Sequence, residues 1–256
     1  MKSLPDRPDL RQLKSQAKEL LAAYSRDEPN AARRFRESLP AVAGCDPEAI
    51  NALGLRLHDA QSCIAREYGF ASWADLRSYV NIVRARETDP AALLNGILQV
   101  VYSGCLVEGP GRAKPKMAAR LVERHPDLPR SDPWIALATG EVDVIHRQIE
   151  ANTDWANNPG GPLGLTPLIS ACHSALVTLP EYRDRIHRTV DLLLKAGADP
   201  NLRITKRSEF AADGPAENWH VSALYGAAGV TFDRHVTRLL LQAGADPNDG
   251  ESLYHS

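Results

Sequence analysis

From Asp9 onward the apolar residues Leu10, Leu13, Ala17, Leu20, Leu21 and Tyr24 recur at three- and four-residue spacing with charged residues between them, which predicts an amphipathic helix of four turns. A second short helix is predicted over 31–39, and Pro40, Gly44 and Pro47 then predict a flexible joint. Leu57, Ala60, Ile64 and Tyr68 fall on one stripe that Gly69 ends; Ser72 caps the next helix with Asp75 three residues on, and Trp73, Leu76, Val80 and Val83 make its apolar face. These two read as a helical hairpin. Further helices are predicted over 91–103, 116–124, 132–138 and 141–151. Arg147 and Gln148 stand at leucine positions, so the last of these is expected to pack least well.

The second half carries a repeat. Leu192-Leu193-Leu194-Lys195-Ala196-Gly197-Ala198-Asp199-Pro200-Asn201 returns as Leu239-Leu240-Leu241-Gln242-Ala243-Gly244-Ala245-Asp246-Pro247-Asn248. Each copy reads as a helix end: leucines on a buried face, a glycine that can adopt the left-handed conformation, then an Asp-Pro turn. Thr166 and Pro167 supply the opposite signal, an N-cap followed by proline at the first helical position. Weaker endings stand at His125-Pro126-Asp127 and Asn152-Thr153-Asp154. The four closing aspartates, 127, 154, 199 and 246, are therefore 27, 45 and 47 residues apart. The excess is expected in two inserted loops, about His173–Arg188 and Arg203–Val221.

At these residues the chain resembles the ankyrin-repeat family, whose unit is a turn and two antiparallel helices over about 33 residues. The family's Thr-Pro-Leu-His opening is matched at Thr166-Pro167-Leu168, with its histidine replaced by Ile169 and, in the next copy, by Tyr225. The passage from Ala65 to Trp73 is similar to a helical extension that precedes the repeats in many bacterial ankyrin-repeat proteins. The resemblance implies an all-α fold: a small helical N-terminal region over 1–88, then an ankyrin-type solenoid over 89–256 with about four repeats and the start of a fifth. It also implies non-catalytic protein binding through the concave face and the fingers. Ser252 aligns with the repeat threonine and His255 with the family histidine, and no polar capping unit follows. A fragment, or an end covered by a partner, is expected, with Leu224, Val236 and Leu240 partly uncovered.

Composition changes this picture little. Hydrophobic residues make up 43% and charged residues 24%, and the net charge of −2 gives no bias toward nucleic acid or membrane. The start carries no signal-peptide core, and the apolar run 91–107 is broken by Asn95, Gln99 and Ser103, so a cytoplasmic protein is expected. Cys45, Cys63, Cys105 and Cys172 are scattered, which predicts neither a zinc site nor a disulfide framework.

For chemistry, Cys172-His173, with His187 able to fold back, is the nucleophile and base candidate. Adjacent helical residues point apart, however, and Cys172 occupies a small core position. Gly160-Gly161-Pro162-Leu163-Gly164 precedes a helix but lacks the lysine of a phosphate loop, so it reads as a tight finger turn. Arg112, Lys114, Lys116, Arg120 and Arg124 form one basic segment, without interleaved aromatics, that could meet an acidic protein or nucleic acid. Trp155, Arg203, Lys206, Arg207, Phe210, Trp219 and His220 lie outside the helical cores and are the candidate partner-binding residues. The reading is thus a protein-binding module with no enzymatic activity, cofactor, metal or small-molecule substrate. Its alternatives are an enzyme with a loop-borne Cys/His site and a nucleic-acid binder through 112–124.

Overall fold

A computed structural model describes residues 2–85, 89–104, 106–107, 112–207, 218–250 and 252; the side chains of Pro90, Arg207, Asn218 and Trp219 are outside that description. The chain is mostly helical, with fourteen α-helices and one two-stranded sheet among the described residues. It divides into two compact units, 1–93 and 94–256.

In the first unit α1 (Leu10–Ser25) starts where Asp9 accepts a hydrogen bond from the Arg11 amide at 2.6 Å, and it buries Leu13, Ala17, Leu20 and Tyr24. It packs with α2 (Pro29–Ser38) and α4 (Leu57–Glu67), and α4 packs on α5 (Trp73–Ala85). Ser72 caps α5 through the Asp75 amide at 3.1 Å, as the capping pattern predicts. The expected flexible joint is instead ordered: a single 3₁₀ turn at Pro40–Val42 leads into α3 (Pro47–Ala52), with Val42 and Ile50 buried and the Tyr24 hydroxyl 2.8 Å from the Ile50 carbonyl. Proline fits the first turn of each element, so these prolines start helices rather than loosen the chain. Across the unit, Glu67 takes a two-pronged ion pair from Arg34 (2.6 and 2.8 Å) and a third contact from Lys2 at 2.7 Å. Burial alone would raise the Glu67 carboxyl, but these cations hold it below the usual range.

Helix α6 (Pro90–Val101) leads into the second unit, followed by α7 (Pro115–Arg124), α8 (Leu128–Ser131), α9 (Pro133–Thr139) and α10 (Val142–Ala151). Then come α11 (Pro167–Cys172), α12 (Pro180–Lys195), α13 (Ala223–Tyr225) and α14 (Arg234–Gln242). Two series of contacts organise them. Helices α9, α11 and α13 touch in succession, as do α10, α12 and α14, and α9–α10, α11–α12 and α13–α14 pack as pairs. Caps fall where the side chains allow: Asp132 accepts from Trp134 and Ile135, Thr166 from Ile169, and Asp233 from His235 and Val236. Only Val144 and Ile145 are buried in α10, so its polar substitutions do thin the packing.

Three expectations need correction here. The first inserted loop is mainly helix, because Pro180 occupies the first turn of α12, and Tyr182, Ile186, Val190 and Leu193 continue one buried stripe from its start. The second is a β-hairpin stem: β1 (Arg203–Arg207) pairs antiparallel with β2 (Asn218–Ser222), with Ile204 opposite Val221 and both buried. Finally, Leu224, Val236 and Leu240 are all buried, not left as an uncovered edge. Asp249 folds in beside them, accepting from the Ser252 amide at 2.7 Å and from the Ser222 hydroxyl. His255 and the rest of 253–256 lie outside the described residues.

Candidate functional site

The turns between helix pairs are joined by a device that occurs twice. Asn157 donates its amide to the Gly197 carbonyl at 2.9 Å and accepts from the Asp199 amide at 2.7 Å. Asn201 does the same to Gly244 and Asp246, at 2.9 and 2.8 Å. One side-chain amide thus satisfies a backbone acceptor and a donor two residues apart. The repeated Asp-Pro-Asn ending makes the second latch. In the first, Asn157 follows Asp154 by three residues instead of two, and a single 3₁₀ segment, Thr153–Asn157, takes up the extra one.

Beside these turns stand the fingers. Gly160 bridges to Leu165, and Gly161 and Gly164 have φ of 66° and 61°, so this glycine-rich stretch is a tight turn. Trp134 lies directly against it: a Cβ on Gly161 would fall 2.4 Å from the indole. Trp155 is half-buried with its ring 6.1 Å from that of Trp134, so it packs on its own unit. Lys206 reaches from β1 to the Leu163 carbonyl at 2.8 Å and ties the hairpin to the preceding turn. Arg203, Thr205 and His220 are exposed, with Thr205 and His220 facing across the ladder at 3.3 Å and Arg203 3.9 Å from Asp246. Arg207 pairs in register with Asn218, and Lys206 with Trp219. Phe210 lies outside the described residues.

Cys172 and His173 do not form a catalytic pair. Both are buried; burial pushes the Cys172 thiol up, and the nearby Asp233 charge adds to it. Burial holds His173 down at about 4, against the raising effect of its hydrogen bond to the Ser222 carbonyl at 2.9 Å. Its ring meets Tyr225 edge-on at 5.8 Å and presses on Gly226, where a Cβ would come within 2.3 Å. A neutral imidazole that donates Nε2–H to Ser222 and is sealed by Tyr225 reaches no substrate. His187 points elsewhere, to Asp233 at 2.9 Å, with its ring stacked on His235 at 4.4 Å. Among the described residues no group of three or more His, Cys, Asp or Glu could hold a metal, and no helix is long and apolar enough to cross a membrane. In the basic segment Arg112 and Lys116 are exposed, while Lys114, Arg120 and Arg124 are half-buried and engaged.

The asparagine latches escaped sequence reasoning because their partners lie 40 to 45 residues away. The signal was present, since each latch asparagine follows an Asp by two or three residues at a helix end. No protein-family model, curated protein or solved structure matches the chain.

Proposed function

We propose that residues 94–256 are an ankyrin-type array whose role is to bind a protein partner, with the exposed face of the β1–β2 hairpin at its centre. The observation that carries this reading is the twice-repeated asparagine latch. It joins successive turns in the same geometry while successive helix pairs pack in two series, an arrangement that builds an extended surface rather than a pocket. Arg203, Thr205 and His220 are the contact residues, and Arg207 and Trp219 belong to the strands of the same hairpin. Lys206 and Trp155 act as supports, because Lys206 is tied to the preceding turn and Trp155 packs against Trp134. The buried, neutral state of Cys172 and His173 argues against the Cys/His enzyme, and the engagement of Lys114, Arg120 and Arg124 argues against the nucleic-acid reading.

The test replaces Arg203, Thr205 and His220 together by alanine. Helical circular dichroism is expected to stay unchanged, while the proteins that the wild-type chain retains from a cell extract, identified by mass spectrometry, are lost. An unchanged retained set would remove the hairpin face from the proposal.

A further inference from the structure

Two corners of the second unit turn the chain from one helix of a pair into the next, and they are built from opposite residues. The first is Gly140, with φ of 79°, followed by Glu141, which precedes α10. The second is Phe232, with φ of 53°, followed by Asp233, the cap of α14. A left-handed backbone suits glycine and is a true outlier for a bulky aromatic residue. Nor does the phenylalanine repay that strain by packing, because the residue is 64% exposed, the highest among the large apolar residues described.

The helix that follows breaks two more local rules. Arg234 stands in its first turn, where the helix dipole disfavours a cation, and Leu241 is 45% exposed. Arg234, Arg238 and Leu241 are spaced four and three residues apart, which puts them on one stripe of α14 about 10 Å long, and Phe232 stands two residues before it. Among the described residues neither arginine has a carboxylate partner, and α14 contains no acidic residue. His187 meets Asp233 at 2.9 Å on the α12 side of this helix, and the α14 sequence itself carries two arginines and no carboxylate. Local choices that weaken the fold without compensation gather at surfaces kept for recognition.

From these observations we infer that the stripe Phe232, Arg234, Arg238, Leu241 is a docking surface for an acidic amphipathic helix. Apolar side chains of the partner helix meet Phe232 and Leu241 at the two ends, and its carboxylates meet the two unpaired arginines between them. The surface is separate from the hairpin face, and its partner need not be the same. A membrane is the poorer match, since binding an anionic bilayer takes a larger basic cluster than two arginines.

The experiment uses the full chain and a display library of random peptides of about 16 residues, long enough as helices to cover α14. Peptides are selected on the wild type and scored against Phe232→Asn and Arg238→Glu. Asparagine tolerates the left-handed backbone, so Phe232→Asn is expected to unfold at the same temperature as the wild type or higher. The selected peptides are expected to be acidic, to bind each variant at least about tenfold more weakly and to weaken with salt. Three outcomes would overturn the inference: a lower unfolding temperature for Phe232→Asn, which makes the residue structural; selection that yields no peptide able to distinguish the variants; or binding to phosphatidylserine vesicles, lost in the same variants, in place of peptides. None of these depends on Arg203, Thr205 or His220, so the hairpin reading stands or falls separately.

Discussion

Gly140→Ala should be among the most damaging single-methyl additions in the second unit. Its cost has two separable parts. The backbone at φ 79° is left-handed, which an alanine adopts at a cost of about 1–2 kcal/mol. The new Cβ would also stand 2.6 Å from the Arg185 carbonyl carbon and from the Ile186 nitrogen, both main-chain atoms of α12 that cannot swing aside. Forcing a helix backbone outward adds about 1–3 kcal/mol. The sum centres on about 3 kcal/mol, or a fall of roughly 6–12 °C in the unfolding midpoint of a unit this size. Gly197→Ala and Gly244→Ala provide the internal comparison. Their φ values of 86° and 92° carry the same strain, yet nothing lies within 4 Å of either added methyl, so each should lose only the strain part. Tryptophan fluorescence suits the measurement, because Trp134, Trp155 and Trp219 lie in this unit and only Trp73 in the other. If all three variants fall by the same amount, the close approach of α12 to this corner is not real and the pairing of α9–α10 with α12 must be redrawn.

Other outcomes follow from the same geometry. Asn201→Ala removes two exposed hydrogen bonds and should cost about 1 kcal/mol, with faster hydrogen exchange at the Asp246 amide as the direct readout. Native Cys172 should resist a thiol reagent that labels half-buried Cys45, and Cys172→Ala should cost on the order of 1 kcal/mol with partner capture intact; lost capture in the folded variant would refute the non-catalytic reading. His173 has a folded value of about 4 against 6.5 unfolded, so the unfolded chain binds the extra proton between those values. Stability contributed by neutral His173 is therefore complete above about pH 6.5 and lost as pH falls toward 4, by on the order of 3 kcal/mol. Urea midpoints across that window should slope less in His173→Gln, which keeps a donor for Ser222.

The helices and their caps were legible because each depends on residues within one or two turns: Ser72 and Thr166 cap where their spacing says they should, and the helices expected from Asp9 and Asp132 onward start at those residues. Readings that failed needed information from afar. Pro40 and Pro47 look like breakers until Ile50 is seen beneath Tyr24, and β1 and β2 become strands only by meeting each other across ten intervening residues. The candidate binding residues split for the same reason. Nothing in the neighbourhood of Lys206 announces that its ammonium will be taken by the Leu163 carbonyl, whereas His220 is left exposed on the ladder face. Phe232 was invisible in the sequence because a backbone dihedral, not a residue pattern, makes it unusual.

Each latch asparagine holds only main-chain atoms, so the neighbouring turn is recognised without regard to its side chains or to how many residues intervene. Spacing between these turns is then a matter of one amide's width rather than of chain length. A hairpin can gain residues, or a helix an extra turn as α12 has, and the next turn still arrives at the same distance. The interval between one turn and the next is thereby insulated from insertion, which leaves the connecting segments free to diversify while the latched turns keep their distance.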